Sequence, residues 1–211
     1  MVKKIIASII ITNLLLASSP VAHGKATTWT MSSDWAHEEL MMADSFGLIP
    51  YSLFDQDFTR PITRAEFAAV TVRLHDEYTG ARILPPASVG AVFSDTEDID
   101  VLIAYHLGIV NGMGDGIFDP DGRLTREQMA TMLWRTLLIL DPEAGDSIRG
   151  APSYADEGLI STWAKESVLN MGELGFVKGM GDGQFAPGGT ATCEQAVIIA
   201  LRIFANYSAS E

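Results

Sequence analysis

The segment that decides the fold reads N-G-M-G-D-G-I-F-D-P-D-G-R-L-T-R-E-Q-M-A-T-M-L-W-R and spans residues 111–135. A second copy, K-G-M-G-D-G-Q-F-A-P-G-G-T-A-T-C-E-Q-A-V-I-I-A-L-R, spans residues 178–202. An earlier copy keeps only the second half, D-F-T-R-P-I-T-R-A-E-F-A-A-V-T-V-R-L, at residues 57–74. Corresponding threonines recur roughly every 65 residues, so the chain is predicted to consist of three repeated units.

Composition indicates a globular and strongly acidic protein. Of its 211 residues, 47% are hydrophobic and 19% are charged, which suits a folded domain with a core. The net charge is −13, and such a surface repels nucleic acid and anionic lipid. Any anionic partner must therefore be bound by a local arrangement of cations and amides.

Residues 1–24 are predicted to be an export signal. Lys3 and Lys4 precede an apolar run at residues 5–16, and small residues end at Gly24. A membrane anchor is the competing interpretation, but polar residues interrupt the run, which is short for a span of roughly 20 residues. We predict cleavage after Gly24 and export of the mature chain.

Each unit is predicted to contain a helix, a loop and a second helix, which gives an all-α fold. In the second helix of the first unit, for example, Phe67, Val70 and Leu74 recur at the spacing of one buried helix face. A single helix pair of this size cannot bury its apolar face alone, so the units should pack into one domain. The predicted units are residues 25–92, 93–152 and 153–211.

Three threonines are predicted to cap the second helices. Each is followed three residues later by Glu or Gln, the pattern of a capping box. The pairs are Thr63 with Glu66, Thr125 with Gln128, and Thr192 with Gln195. Capping leaves these residues no required role in ligand binding.

Arg64 and Arg126 follow two of the caps, and the helix dipole disfavours a cation in the first turn. Beside free first-turn amides, a guanidinium could hold a carboxylate or phosphate. A salt bridge to one of the many nearby carboxylates is the alternative. The spacing alone does not separate these two interpretations.

The glycine-rich loops and two tryptophans each allow two interpretations. Residues 112–116 and 179–183 permit tight turns or close contact with a ligand, and turns are the commoner use of glycine. Trp35 and Trp163 stand at matching distances before Gly47 and Gly175. They could stack on a sugar, although isolated helix tryptophans more often fill the core.

The elements F-S-D, W-A, G-I-V-N-G, D-G-x-F-x-P and [IL]-T-R-x-[EQ], in this order, resemble surface-layer homology (SLH) repeats across about residues 33–205. The resemblance implies a pseudo-threefold spindle around a central helical bundle, with grooves that bind a pyruvylated secondary cell-wall polysaccharide. It therefore also implies a location at the cell wall or cell surface. It implies that arginines hold the pyruvyl carboxylate and that loops and tryptophans form the groove walls. The implied glycan-binding residues are Arg64, Arg126, Trp35, Trp163, Gly112, Asp115, Gly179 and Asp182.

Three departures from the family pattern limit the expected sites. Cys193 replaces the arginine of the third unit, Thr96 stands where the second unit should have its tryptophan, and the first unit lacks the glycine loop. At most two grooves are therefore expected to bind. Cys193 is predicted to be a small buried neighbour of the cap, although a helix N-terminus could also lower its pKa.

Other function classes fit the sequence less well. The stretch around Asp119, Asp121 and Gly122 matches the middle of an EF-hand loop but lacks both end ligands, which argues against a calcium-binding module. No histidine stands at a recognisable catalytic spacing, so no enzyme, metal site or cofactor is predicted. Docking on another surface protein remains the main alternative to glycan binding.

Overall fold

The computed structural model describes residues 31–84 and 92–208, and the predicted export signal lies outside these ranges. Within them the fold is all-α, as predicted, with isolated β-bridges in place of strands. None of the described helices is long and apolar enough to cross a bilayer. The helices are α1 (His37–Ser45), α2 (Arg64–Thr79), α3 (Ile99–His106), α4 (Arg126–Leu140), α5 (Lys165–Glu173) and α6 (Cys193–Ser208), with 3-10 turns at Asp34–Ala36, Tyr51–Leu53, Ala144–Ser147 and Glu157–Leu159.

The predicted capping boxes begin α2, α4 and α6. In α2, the Glu66 amide donates to the Thr63 hydroxyl, and the Thr63 amide donates back to the Glu66 carboxylate. The same reciprocal pairs occur at the other two caps. At the start of the first unit, Asp34 lies inside a 3-10 turn whose N-cap is Ser33, so Asp34 does not cap α1.

Helix pairs form between units rather than within them. Helices α2, α4 and α6 contact one another, while α3 packs on α2 and α5 packs on α4. Helix α1 packs on α6, so the first unit is completed by the last. One buried apolar cluster runs through all three units. The stricter prediction of a pseudo-threefold spindle stays a prediction.

The first-turn amides of these helices donate to loop carbonyls of another unit. The Arg64 amide donates to the Gly122 carbonyl at 2.9 Å, and the Ala65 amide donates to the Pro120 carbonyl at 3.0 Å. The corresponding bonds from α4 reach Gly189 and Pro187, and those from α6 reach Arg60 and Phe58. The expectation that these amides are free to bind an anion is therefore wrong.

Two carboxylates add a second connection between units. Glu194 accepts from the Ser33 amide at 3.0 Å and from the Ser33 hydroxyl at 2.9 Å. Glu127 accepts in the same way from Ser161, at 2.9 and 3.0 Å. Each glutamate stands in the first turn of its helix, where a negative charge also suits the helix dipole.

Candidate functional site: two cationic cavities

Two cavities lie at the seams between units and contain six of the eight predicted site residues. The first has a volume of about 360 Å³. It is lined by Arg64, Val110, Asn111, Gly112, Met113, Gln128, Thr131, Met132, Arg135 and Trp163. Each predicted unit contributes at least one of these residues, so the cavity exists only in the assembled domain.

The second cavity repeats this plan one unit further along the chain. Its volume is about 190 Å³. It is lined by Trp35, Arg126, Met129, Phe176, Val177, Lys178, Gly179, Met180, Gln195, Ile198, Ile199 and Arg202. Arg126 takes the place of Arg64, and Trp35 takes the place of Trp163.

Both cavity walls are cationic in an otherwise acidic protein. Five arginines or lysines line the two cavities, and neither wall contains an aspartate or glutamate. The whole chain has 27 acidic and 14 basic residues. The local field in the cavities therefore opposes the net charge of the surface and favours an anion.

Arg64 is anchored by the loop of the following unit. Its side chain is buried, and Nε donates to the Phe118 carbonyl at 2.8 Å, while Nη2 lies 3.5 Å from the Asn111 carbonyl oxygen. The guanidinium carbon stands 4.6 Å from the centre of the Phe118 ring, within the range of a cation–π contact.

Arg126 repeats this arrangement, with a shorter hydrogen bond from its Nη2. Nε donates to the Phe185 carbonyl at 2.9 Å, and Nη2 donates to the Lys178 carbonyl at 2.6 Å. The guanidinium carbon lies 4.9 Å from the centre of the Phe185 ring. The side chain is 5% exposed; the bond to Phe185 is buried, and the bond to Lys178 is partly buried.

The salt-bridge interpretation of Arg64 and Arg126 does not describe this geometry. Neither arginine forms an ion pair with a described residue, and Nη1 of each lacks a described acceptor. Burial lowers the pKa of both guanidinium groups. Asp119 and Asp95 partly oppose the shift at Arg64, and Tyr154 and Asp156 partly oppose it at Arg126. An anion in the cavity would supply the missing charge compensation.

The glycine loops combine a close approach with a tight turn. A Cβ atom at Gly112 would lie 2.7 Å from the Ile117 carbonyl oxygen, so only glycine fits there. Asp115 and its flanking glycines have positive φ values of 50°, 108° and 72° and reverse the chain. The loop at residues 179–183 repeats both features. Gly112 and Gly179 line the cavities, whereas Asp115 and Asp182 belong to the turns.

Asp95 and Asp156 hold the segments that follow the two glycine-rich loops, through hydrogen bonds from backbone amides. Asp156 accepts from the amides of Phe185 and Ala186, each at 2.7 Å. Asp95 accepts from the corresponding amides of Phe118 and Asp119, at 2.9 and 2.7 Å. These amide bonds lower the pKa of both carboxyl groups. They keep the carbonyls of Phe118 and Phe185 directed at the arginines.

Trp35 and Trp163 are exposed, so the expectation that they fill the core is wrong. Their exposed fractions are 55% and 56%, and each lies at the rim of one cavity. Met113 and Met180, 58% and 59% exposed, line the same cavities. Each cavity therefore offers one aromatic and one flexible apolar side chain to an incoming ligand.

The position of the missing third arginine is closed. Cys193 is fully buried, and burial raises the pKa of its thiol to about 12. The possibility of a reactive cysteine at this helix N-terminus is therefore wrong. Arg60 supplies a cation nearby, but both of its Nη groups donate hydrogen bonds to the Glu66 carboxylate. This guanidinium is already neutralised within the protein.

Sequence reasoning missed Arg135, Arg202 and Lys178 as cavity residues. Arg73, Arg135 and Arg202 occupy the same place in the three copies of the repeat, and that recurrence is the signal that could have found them. Helical geometry does not say which of the three faces a cavity. Only Arg135 and Arg202 line the two cavities described above.

Comparison with known proteins finds a matching family model and several similar proteins. Residues 94–130 and 153–197 match the family model of the S-layer homology domain. The chain is similar to the exoglucanase XynX of Acetivibrio thermocellus, with 30% identity over 89% of this chain. It is also similar to the surface layer protein of Brevibacillus choshinensis, 27% identical over 84% of this chain, and to the S-layer protein sap of Bacillus anthracis, 31% identical over 51%.

These similarities cover a small part of each relative. The aligned region is 17% of the exoglucanase, 15% of the surface layer protein and 13% of the S-layer protein sap. Most of the exoglucanase lies outside the alignment. Its catalytic name therefore describes that larger protein.

Proposed function

Because the chain belongs to the S-layer homology family, we propose that it is a non-catalytic module that anchors to the cell wall. It does so by binding an acidic, pyruvylated cell-wall polysaccharide in the two cavities. Relatives named as surface layer and cell surface proteins agree with the predicted location at the cell wall or cell surface.

One observation carries the proposal: two cavities lined by cations, without a carboxylate in either wall, in a chain of net charge −13. Burying a guanidinium without a counter-ion costs free energy. Stability alone therefore does not explain why this arrangement occurs at both Arg64 and Arg126. A carboxylate on the ligand would offset this cost at each site.

The binding mechanism follows from the unused donors. A ligand carboxylate would accept from Nη1 of Arg64 or Arg126, while Nε and Nη2 stay bonded to the loop carbonyls. The sugar ring would lie against Trp163 or Trp35, which present an apolar face with little conformational entropy to lose. Two sites on one domain would bind a polymer more tightly than either alone, through effective concentration.

This mechanism replaces recognition by free helix amides. The amides at the start of α2 and α4 are already bonded to loop carbonyls, so the carboxylate would be held by guanidinium groups. Guanidinium suits this role because it stays protonated and offers directed pairs of donors.

The test is co-sedimentation of the purified protein with cell-wall sacculi. We expect binding to be lost when the polysaccharide is stripped chemically, and also when its pyruvyl groups alone are removed. Trp35→Ala combined with Trp163→Ala should weaken binding without unfolding the protein, because both side chains are exposed. Tyr51→Ala is the matched control, an aromatic that is 83% exposed and outside both cavities.

Binding that survives removal of the polysaccharide would contradict the proposal. It would instead support docking on a surface protein, the alternative that the sequence leaves open.

A further inference from the structure

The first cavity contains a second guanidinium that carboxylate binding at Arg64 does not use. Arg135 extends from α4 and lines the cavity together with Arg64 of α2. The two side chains donate to the same short segment, Arg64 to the Asn111 carbonyl and Arg135 Nη1 to the Ile109 carbonyl at 3.2 Å. Two positive charges thus converge on one wall.

Arg135 is not compensated by a carboxylate among the described residues. Its remaining contact is with the Asn111 amide oxygen, 3.3 Å from Nη2 when that amide is oriented to satisfy both of its polar atoms. Burial lowers the pKa of Arg135, and no nearby charge opposes the shift. A neutral amide and a carbonyl orient the guanidinium but leave its charge unpaired.

The corresponding arginine of the second cavity is different. Arg202 donates through Nε and Nη2 to both carboxylate oxygens of Glu39, each at 3.0 Å. Its charge is therefore balanced by α1. Within the described part of the chain, Arg135 therefore lacks a carboxylate partner even though Arg202, at the same place in the repeat, has one.

Arg64 is buried and Arg135 is partly buried, so both guanidinium groups lose hydration, which does not stabilise the fold. A ligand with one acidic group could balance only one of them. A ligand with two acidic groups would balance both, through charge-assisted hydrogen bonds to each guanidinium.

We propose that the first cavity recognises a doubly acidic glycan unit, with Arg64 holding one acidic group and Arg135 the other. This inference rests on the proposed function and names the substrate class of one of its two sites. The second acidic group is an oxyanion, either a uronic acid carboxylate or a sugar phosphate.

The experiment compares three disaccharides, each carrying a pyruvyl-ketal N-acetylhexosamine. Its neighbour is a neutral hexose in the first, a uronic acid in the second and a hexose phosphate in the third. Binding is followed by NMR through the indole N–H signals of Trp163 and Trp35, which report the first and second cavities separately and are assigned with single Trp→Phe variants. At the Trp163 signal, we expect at least one doubly acidic probe to bind about tenfold tighter than the neutral one, or about 1.4 kcal/mol.

Arg135→Gln should abolish this preference, so that the three disaccharides shift the Trp163 signal with equal affinity. Arg135→Lys keeps the charge but loses the planar fork, so it should retain part of the preference. Arg73→Gln is the matched control, since Arg73 has the same place in the repeat but lines neither cavity. Thermal unfolding of each variant checks that it folds.

Equal affinity of the wild-type protein for all three disaccharides would overturn the inference and leave the proposed function intact. So would a preference that persists in Arg135→Gln. The wild-type comparison needs no variant, so it decides the question even if Arg135→Gln unfolds. If none of the disaccharides shifts either tryptophan signal, the proposed function fails and this inference fails with it.

Discussion

Replacing Arg126 by methionine is expected to destabilise the fold by about 2–4 kcal/mol. Methionine keeps much of the aliphatic stem and removes the guanidinium. The carbonyls of Phe185 and Lys178 then lose donors at 2.9 and 2.6 Å. Leaving the buried Phe185 carbonyl unpaired costs about 1–3 kcal/mol, leaving the partly buried Lys178 carbonyl unpaired costs less, and loss of the ring contact adds about 0.5–2 kcal/mol. Relief of the buried charge offsets part of this sum.

The assay is urea unfolding followed by circular dichroism at constant pH. The matched control is Arg202→Met, because Arg202 pairs with Glu39 and its side chain is 45% exposed. An exposed ion pair of this kind is worth only about 0.2–1 kcal/mol. The control should therefore change the free energy of unfolding by less than about 1 kcal/mol.

A cost below about 1 kcal/mol for Arg126→Met would refute the reasoning. The bonds to the loop carbonyls would then be incidental, and Arg126 would serve the ligand alone. A cost of similar size in Arg202→Met would instead show that loss of any cation destabilises the domain, whatever its contacts.

Three further predictions follow from the same geometry. Gly112→Ala should cost about 2 kcal/mol or more in urea unfolding, since its Cβ would lie 2.7 Å from a backbone carbonyl oxygen; Gly145→Ala, with open space around its Cβ, should be nearly neutral. The Cys193 thiol, with its pKa raised to about 12, should not react with a disulfide reagent at pH 8 until the protein unfolds, and rapid reaction in the native state would contradict its burial. Because the folded pKa of Asp156 lies below its ordinary value of 3.8, its stabilisation is present above about pH 4 and is lost as pH falls through the folded pKa. Asp156→Asn should therefore reduce the loss of stability that the wild-type protein shows at acid pH, and an unchanged acid profile would contradict the role of these amide bonds.

The helices and their starting points could be read from the sequence because their causes are local. A capping box needs only Thr63 and Glu66 at the right spacing, and the amide bonds it predicts are present. The same holds for the turn at Asp115, where Asp-Gly between glycines gives the positive φ values that a tight reversal requires.

The site could be predicted only in outline, because its decisive contacts join distant parts of the chain. No local pattern shows that Arg64 donates to the loop near Phe118, or that the first-turn amides are already bonded across a seam. The exposure of Trp35 depends on α1 packing against α6, a pairing that sequence periodicity does not reveal. The pairing of Arg202 with Glu39 is equally remote.

The packing of α1 on α6 has a consequence for the order in which the protein can fold. Helix α1 and its partner α6 are far apart in the chain, and the bonds between Ser33 and Glu194 join residues that are 161 positions apart. Loop closure across that separation costs entropy before any contact repays it, so folding should be slower than in bundles of sequential helix pairs. The second cavity, which is lined by Trp35 and by residues of α6, would form only after that closure, whereas the residues that line the first cavity come from neither α1 nor α6.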